Sequence, residues 1–191
     1  MKVLFSGFEA FGGHETNPTA LLMMAMERGE IALPQEMVVD QMILPVIFQD
    51  SYQLLEERIK VFNPDVIICF GLAEKRTSLS LESVAVNLMD ARIPDNRGEQ
   101  PVGQKITLGG ADSYLSTLPL VGFEGALQRA GILVEQSPNA GEYVCNYLFY
   151  KLMESNQDTG RLCGFIHVPL IFSMEELQKS VEVMLKYLKY D

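Results

Sequence analysis

Three side chains in this chain have the types and settings of a thiol hydrolase: Cys145, His167 and Glu82. Cys145 lies in NAGEYVCNYLFY, residues 139–150. Upstream, Gly131-Ile132-Leu133-Val134 reads as a short buried strand; downstream, Val144, Leu148, Leu152 and Met153 recur at helical spacing. Ala140-Gly141 supplies the turn between them. Cys145 is therefore expected in the first turn of a helix, where free N–H groups and the positive end of the helix dipole favour a thiolate over a thiol. A small buried hydrophobe is the competing reading. His167 ends an apolar strand, Leu162 to Val168, just before Pro169. Binding sites of open α/β sheets gather at such strand ends. Glu82 falls in the strand-like run Leu79 to Asn87, on one face with Ser80, Val84 and Val86. Such a carboxylate is either solvated on an edge strand or held by a partner. Together the three suit acyl transfer: sulfur attacks, imidazole shuttles the proton, and the carboxylate fixes the ring's tautomer. Any α/β domain can hold these residue types by chance, so they do not decide the matter alone.

The elements that must position them alternate. Lys2 to Ser6 is a strand ending in Gly7, followed by a glycine-rich loop that carries Phe8 and Phe11. Asn17 and Pro18 have the N-cap and N1 chemistry of a helix that stops near Gly29. The loop spacing matches neither GxGxxG nor GxxxxGK[ST], which argues against phosphate binding. Its phenylalanines either fold onto the core or line an apolar pocket. Met37 to Leu44 alternates as a strand, Ser51 to Val61 has helical period, and Asp65 to Phe70 is a continuous apolar run suited to a strand buried on both faces. Cys69 and Cys163 belong to apolar strands and read as packing. Asp90 to Gln104 is a loop, with Arg92 as surface charge or anion ligand. His14, after the glycine loop, reads as exposed. Gly109 to Leu120 is irregular and carries apolar YLSTLPL, and Gly122 to Ala130 reads as a short helix. Ser173-Met174-Glu175-Glu176 is a capping box opening a last helix with buried stripe Leu177, Val181, Met184, Leu185 and Leu188. This alternation predicts α/β architecture.

Composition sets bounds. At 191 residues with 48% hydrophobic and 21% charged side chains, one soluble domain spanning 1–191 is expected. A formal net charge of −10 and the lack of a basic run argue against a nucleic-acid partner. Cys69, Cys145 and Cys163 show no metal-ligand spacing and form no disulfide framework, so neither a metal nor a cofactor is expected. No apolar run approaches a membrane span, and the chain opens directly into a strand; a reduced cytoplasmic location is the expectation.

The motifs resemble those of type I pyroglutamyl peptidases along nearly the whole chain. GFEAFGGHETNP is similar to that family's GF-x-PFGG…NP opening, and LSLESVAVNLMDARIPDNRGEQP to its glutamate motif and following loop. AGEYVCN and GFIHVP resemble its cysteine and histidine motifs. The resemblance implies a single-domain three-layer α/β/α sandwich around a twisted mixed, mostly parallel sheet. It implies a cysteine exopeptidase that removes N-terminal 5-oxoproline from peptides through a thioester acyl-enzyme, with no cofactor. Cys145 is then nucleophile, His167 base and acid, and Glu82 the orienting carboxylate; Arg92 and the Cys145 N–H steady the oxyanion. Phe8, Phe11, Asn17, Leu72, Ile93 and Val144 fall in the implied lactam pocket. Aromatic walls without a carboxylate suit a flat, uncharged ring. A homodimer or homotetramer is also implied, and YLSTLPL is either its contact surface or ordinary core.

Several positions depart from the pattern: Ala10 for proline, Leu72 for glutamine, Glu74 and Asn139 for small residues, Ser83 for a basic residue. The segment after His167 is also shorter. A catalytically impaired homologue that still binds pyroglutamyl peptides is therefore a second reading. A phosphorylase-like nucleoside enzyme is a third, weakened by the lack of a basic phosphate cradle.

Overall fold

The computed structural model describes residues 1–190. Its elements run β1 (Lys2–Phe8), α1 (Pro18–Glu27), β2 (Val38–Leu44), α2 (Phe48–Phe62), β3 (Val66–Leu72), β4 (Leu79–Glu82), β5 (Val84–Val86), β6 (Ser113–Leu115), α3 (Leu120–Arg129), β7 (Val134–Ser137), α4 (Val144–Ser155), β8 (Leu162–Val168) and α5 (Met174–Tyr190). The continuous apolar run of β3 is buried at every position and takes the centre of the main sheet, whose order is β2-β1-β3-β8-β4-β7. All pairings in that sheet are parallel except β4 with β8. The architecture is thus α/β with a mixed, mostly parallel sheet.

Side-chain alternation along the strands feeds two cores. Val3, Phe5 and Phe70 point to one face, where α1, α3 and α5 bring Leu22, Phe123, Leu127, Val181 and Leu185. Leu4, Cys69 and Phe165 point to the other, covered by Leu55 of α2 and by Leu148, Phe149 and Leu152 of α4. Helices on both faces make the three layers that the resemblance implied. The α5 stripe is buried as its spacing predicts, and the Ser173–Glu176 capping box is formed reciprocally, with N–H to side-chain distances of 2.8 and 3.2 Å.

Several expectations need correction. The strand before α4 starts at Val134, not Gly131: Gly131 takes φ 79°, and the N–H groups of Gly131 and Ile132 close the end of α3 instead. Leu133 is exposed, not buried. Leu79 to Asn87 is not one strand. At Ser83 the chain leaves the main sheet, and β5 pairs with β6 in a separate two-stranded ribbon. The buried carboxamide of Asn146 on α4 draws it away, accepting from the Val86 N–H and donating to the Val86 and Leu88 carbonyls. Helix α2 starts three residues early, at Phe48, because the Asp95 carboxylate accepts the Phe48 N–H and supplies a cap from a distant loop. YLSTLPL divides, with Leu115 exposed and Leu118 and Leu120 in the core. Among the described residues no helix is long and apolar enough to cross a membrane.

Candidate active site

The site lies on the α2–α4 side of the sheet. Helix α4 starts at Val144, so Cys145 is its second residue. Gly141, at φ 79°, makes the turn into that helix, and Asn139 Oδ1 accepts its N–H. The sulfur rests over Gly71 of β3, where an added Cβ would stand 2.8 Å from Sγ and 2.7 Å from Phe165 Cζ. Gly71 is paired with His167 across the parallel β3–β8 ladder, so both face the same side of the sheet. Imidazole and sulfur are therefore neighbours. They do not hydrogen-bond to each other in the structure; such contacts tighten when substrate arrives. The Phe165 ring lies against His167, with centroids 4.9 Å apart.

His167 Nδ1 lies 2.8 Å from Glu82 Oε1, and Glu82 is fully buried. A carboxylate only accepts, so this bond puts the ring proton on Nδ1 and leaves Nε2 free to take one from the thiol. The edge-strand reading of Glu82 is wrong: β4 sits between β8 and β7. Arg76, from the loop between β3 and β4, lies 2.9 Å from the same Oε1. No periodicity or motif spacing had set Arg76 apart.

The expectation of a resting thiolate is corrected. Burial pushes the Cys145 thiol up to about 12; the negative charge of Glu82 and the neighbouring Cys69 add to it, and only its own N–H acts the other way. The residue is partly open to solvent, but the sulfur is packed against Gly71 beside Phe165, and removal from water outweighs the helix terminus. A pKa raised in this direction favours the thiol over the thiolate at neutral pH. We expect no Cys145-dependent thiolate absorbance between about pH 6 and pH 9, because a raised pKa moves ionisation to the alkaline side. A titration step near neutrality in the wild type, missing in Cys145→Ala, would contradict this. Cys69 and Cys163 are fully buried, and burial raises them likewise to about 12, as packing residues.

A narrow cleft with only about 10 Å³ of free space, roughly one water, lies beside the sulfur. Phe8, Phe11, Asn17, Leu72 and Val144 line it, together with Val46 and Tyr143, which the sequence reading missed. Tyr143 precedes the cysteine helix and packs edge-on against Phe48, with its hydroxyl donating to the Pro94 carbonyl at 3.0 Å. Ile93 does not line the cavity; it is exposed, near Gly12. Asn17 caps α1, accepting from Thr19, while its Nδ2 donates to the Glu9 carbonyl. One Nδ2–H remains available. Arg92 is exposed and makes no ion pair among the described residues. Its loop is held near the start of α4 by the Asp90 N–H, which donates to the Glu142 carbonyl at 2.9 Å. His14 is only partly exposed and pairs with Glu74 at 2.5 Å. That pair links the Phe11 loop to the segment following Leu72. No cluster of metal-ligating side chains occurs among the described residues.

Gly71→Ala tests the geometry directly. Its methyl would overlap sulfur and ring, costing roughly 1–3 kcal/mol of stability. Activity is expected to fall on the order of 10²-fold from displacement of the nucleophile. A folded variant with wild-type turnover would show that the sulfur works from another position.

A family model described as pyroglutamyl peptidase matches residues 1–184. The pyrrolidone-carboxylate peptidase of Bacillus amyloliquefaciens is 41% identical over 181 residues, covering 94% of this chain and 82% of that one. Its counterpart from Pyrococcus furiosus is 39% identical over 173 residues, covering 90% and 82% respectively. The crystal structure of pyroglutamyl peptidase I from Bacillus amyloliquefaciens superimposes with a TM-score of 0.92 at 34% identity, covering 100% of this chain and 95% of that one. With motifs, fold and relatives in accord, the chain belongs to the pyroglutamyl peptidase family, the cysteine-type peptidases.

Proposed function

We propose that the chain hydrolyses the amide bond after an N-terminal pyroglutamyl residue, with Cys145, His167 and Glu82 as its triad. The observation that carries this reading is the buried His167–Glu82 bond beside a sulfur that borders the apolar cavity. The lactam enters at that cleft, whose side chains must part to admit it, against Phe8, Phe11, Leu72 and Val144; the lining has no carboxylate, which suits a ring without a charged amine. As the thiol approaches the pyroglutamyl carbonyl, its proton passes to His167 Nε2 and the S–C bond forms. The Cys145 N–H, at the helix start, and Arg92 from its adjoining loop meet the oxyanion. The imidazolium gives its proton to the departing amine as the C–N bond breaks, leaving a thioester. Water then attacks, with His167 taking its proton, and 5-oxoproline leaves as the thiol is restored.

A thiol at rest makes proton transfer part of the attack, not a step completed beforehand. Leu72 in place of glutamine adds an apolar wall, and the impaired-homologue reading has no support: His167 is bonded to Glu82, and the sulfur lies over Gly71, the residue paired with His167. We further propose a homo-oligomer, with light scattering as its test, and a reducing compartment, which suits three free cysteines. The function is tested by incubating the purified chain with a pyroglutamyl amide of a chromogenic amine and with the matching prolyl amide. Release from the first alone is expected; a folded protein that releases neither amine sinks the reading.

A further inference from the structure

Glu82 has a second partner whose chemistry differs from that of His167. Its Oε1 is hydrogen-bonded to His167 Nδ1 at 2.8 Å and lies in ion-pair contact with Arg76 Nη1 at 2.9 Å, while Oε2 is buried without a hydrogen bond. A carboxylate removed from water with one oxygen unserved is poorly stabilised as an anion. His167 offers a ring N–H. Arg76 offers a full charge, and its side chain is 26% exposed, so it links the buried anion to solvent. Its Nη2 also donates to the Asn139 carbonyl at 2.9 Å, in the segment that turns into the cysteine helix. The Arg76 N–H donates in turn to the Ala73 carbonyl, which fixes its loop.

We propose that Arg76 is a positioning residue that keeps Glu82 a carboxylate aimed at His167 and ties it to the segment that sets the Cys145 helix. This rests on the triad reading above. The other groups around Glu82 cannot substitute. On α4, Cys145 is a thiol; on β7, the Glu135 carboxylate is acidic and accepts from Ser80 at 3.4 Å; in the Arg76 loop, Glu74 is paired with His14. Among the described residues, Arg76 is the one Lys or Arg in ion-pair contact with Glu82. Without Arg76 the buried carboxylate has no cation in contact with it. A protonated Glu82 donates to Nδ1 instead of accepting from it. The ring then carries its proton on Nε2, where it cannot accept one from the thiol.

The test compares wild type, Arg76→Met, Arg76→Lys and Glu82→Gln on a pyroglutamyl amide across pH. In Arg76→Met, kcat is expected to fall about 10- to 100-fold near neutrality, with KM little changed and the acid limb of the profile moved up by about one pH unit or more. Arg76→Lys, which keeps a charge, recovers most of the acid limb. In a Glu82→Gln background, Arg76→Met costs less than about 3-fold, because the two act as one unit. A wild-type acid limb in Arg76→Met, or an equal loss in both backgrounds, overturns the proposal. If Arg76→Met does not fold, Arg76→Lys against Arg76→Gln carries the same comparison. Nitrogen-15 shifts of His167 give a readout independent of turnover, and the chain has only two histidines. They are expected to show the proton on Nδ1 in wild type and a loss of that preference in Arg76→Met. An inactive wild type with those shifts would sink the peptidase reading alone; an active one with unchanged shifts would sink the role of Arg76 alone.

Discussion

Cys145→Ala is expected to lower kcat/KM for a pyroglutamyl amide by at least about 10⁴-fold, since acyl transfer has no other nucleophile there. The side chains proposed to hold the ring remain, so 5-oxoproline binding by calorimetry is expected to survive with little change. Removing one sulfur beside Gly71 leaves a small void, costing on the order of 1 kcal/mol, too little to unfold the chain. Cys145→Ser separates position from chemistry: the hydroxyl sits where the thiol did but is a far weaker nucleophile, and it too is expected to be nearly inactive. An alanine variant retaining more than about a hundredth of wild-type turnover would mean that another group attacks.

The second large effect is expected in Glu82→Gln, with kcat falling about 10²- to 10⁴-fold and KM nearly constant. Shape is conserved, so the loss is electrical. The amide cannot stabilise the imidazolium formed as the thiol gives up its proton. Its NH2 can also turn toward Nδ1 and select the unproductive tautomer. Stability is expected to move the other way or not at all, because Glu82 is fully buried with Oε2 unserved, while the freed Arg76 can reach water. Activity and unfolding midpoint measured on one preparation check both. A large drop in both together would mean that the carboxylate holds the fold rather than the ring.

Much of this was legible in the chain itself where the cause is local. Strand β8 runs Leu162–Val168, as its apolar run predicts, and the Asn17 cap and the Ser173 box form as their side chains require. Cys145 stands in the first turn of its helix because a glycine turn precedes it. What escaped depends on partners far away in sequence. The break at Ser83 follows from Asn146, 60 residues beyond Val86, and the early start of α2 from Asp95, 47 residues beyond Phe48. Arg76 gains meaning only once the sheet folds Glu82 beneath it. The ionisation of Cys145 was misjudged because a helix start is visible in sequence and depth of burial is not. Motif resemblance filled part of this gap for Phe8, Phe11 and Leu72, whose positions around the cavity no local pattern announces.

A sulfur kept protonated until substrate arrives also bears on how long the protein survives in use. Peroxide consumes the anion, not the protonated group, on the first rung of the ladder from sulfenic to sulfonic acid. Idle molecules are thus expected to tolerate peroxide at neutral pH for much longer than peptidases that store a preformed ion pair, and to lose that tolerance as the solution becomes alkaline. Equal inactivation rates at the two pH extremes would show that the reservoir of protected sulfur does not exist.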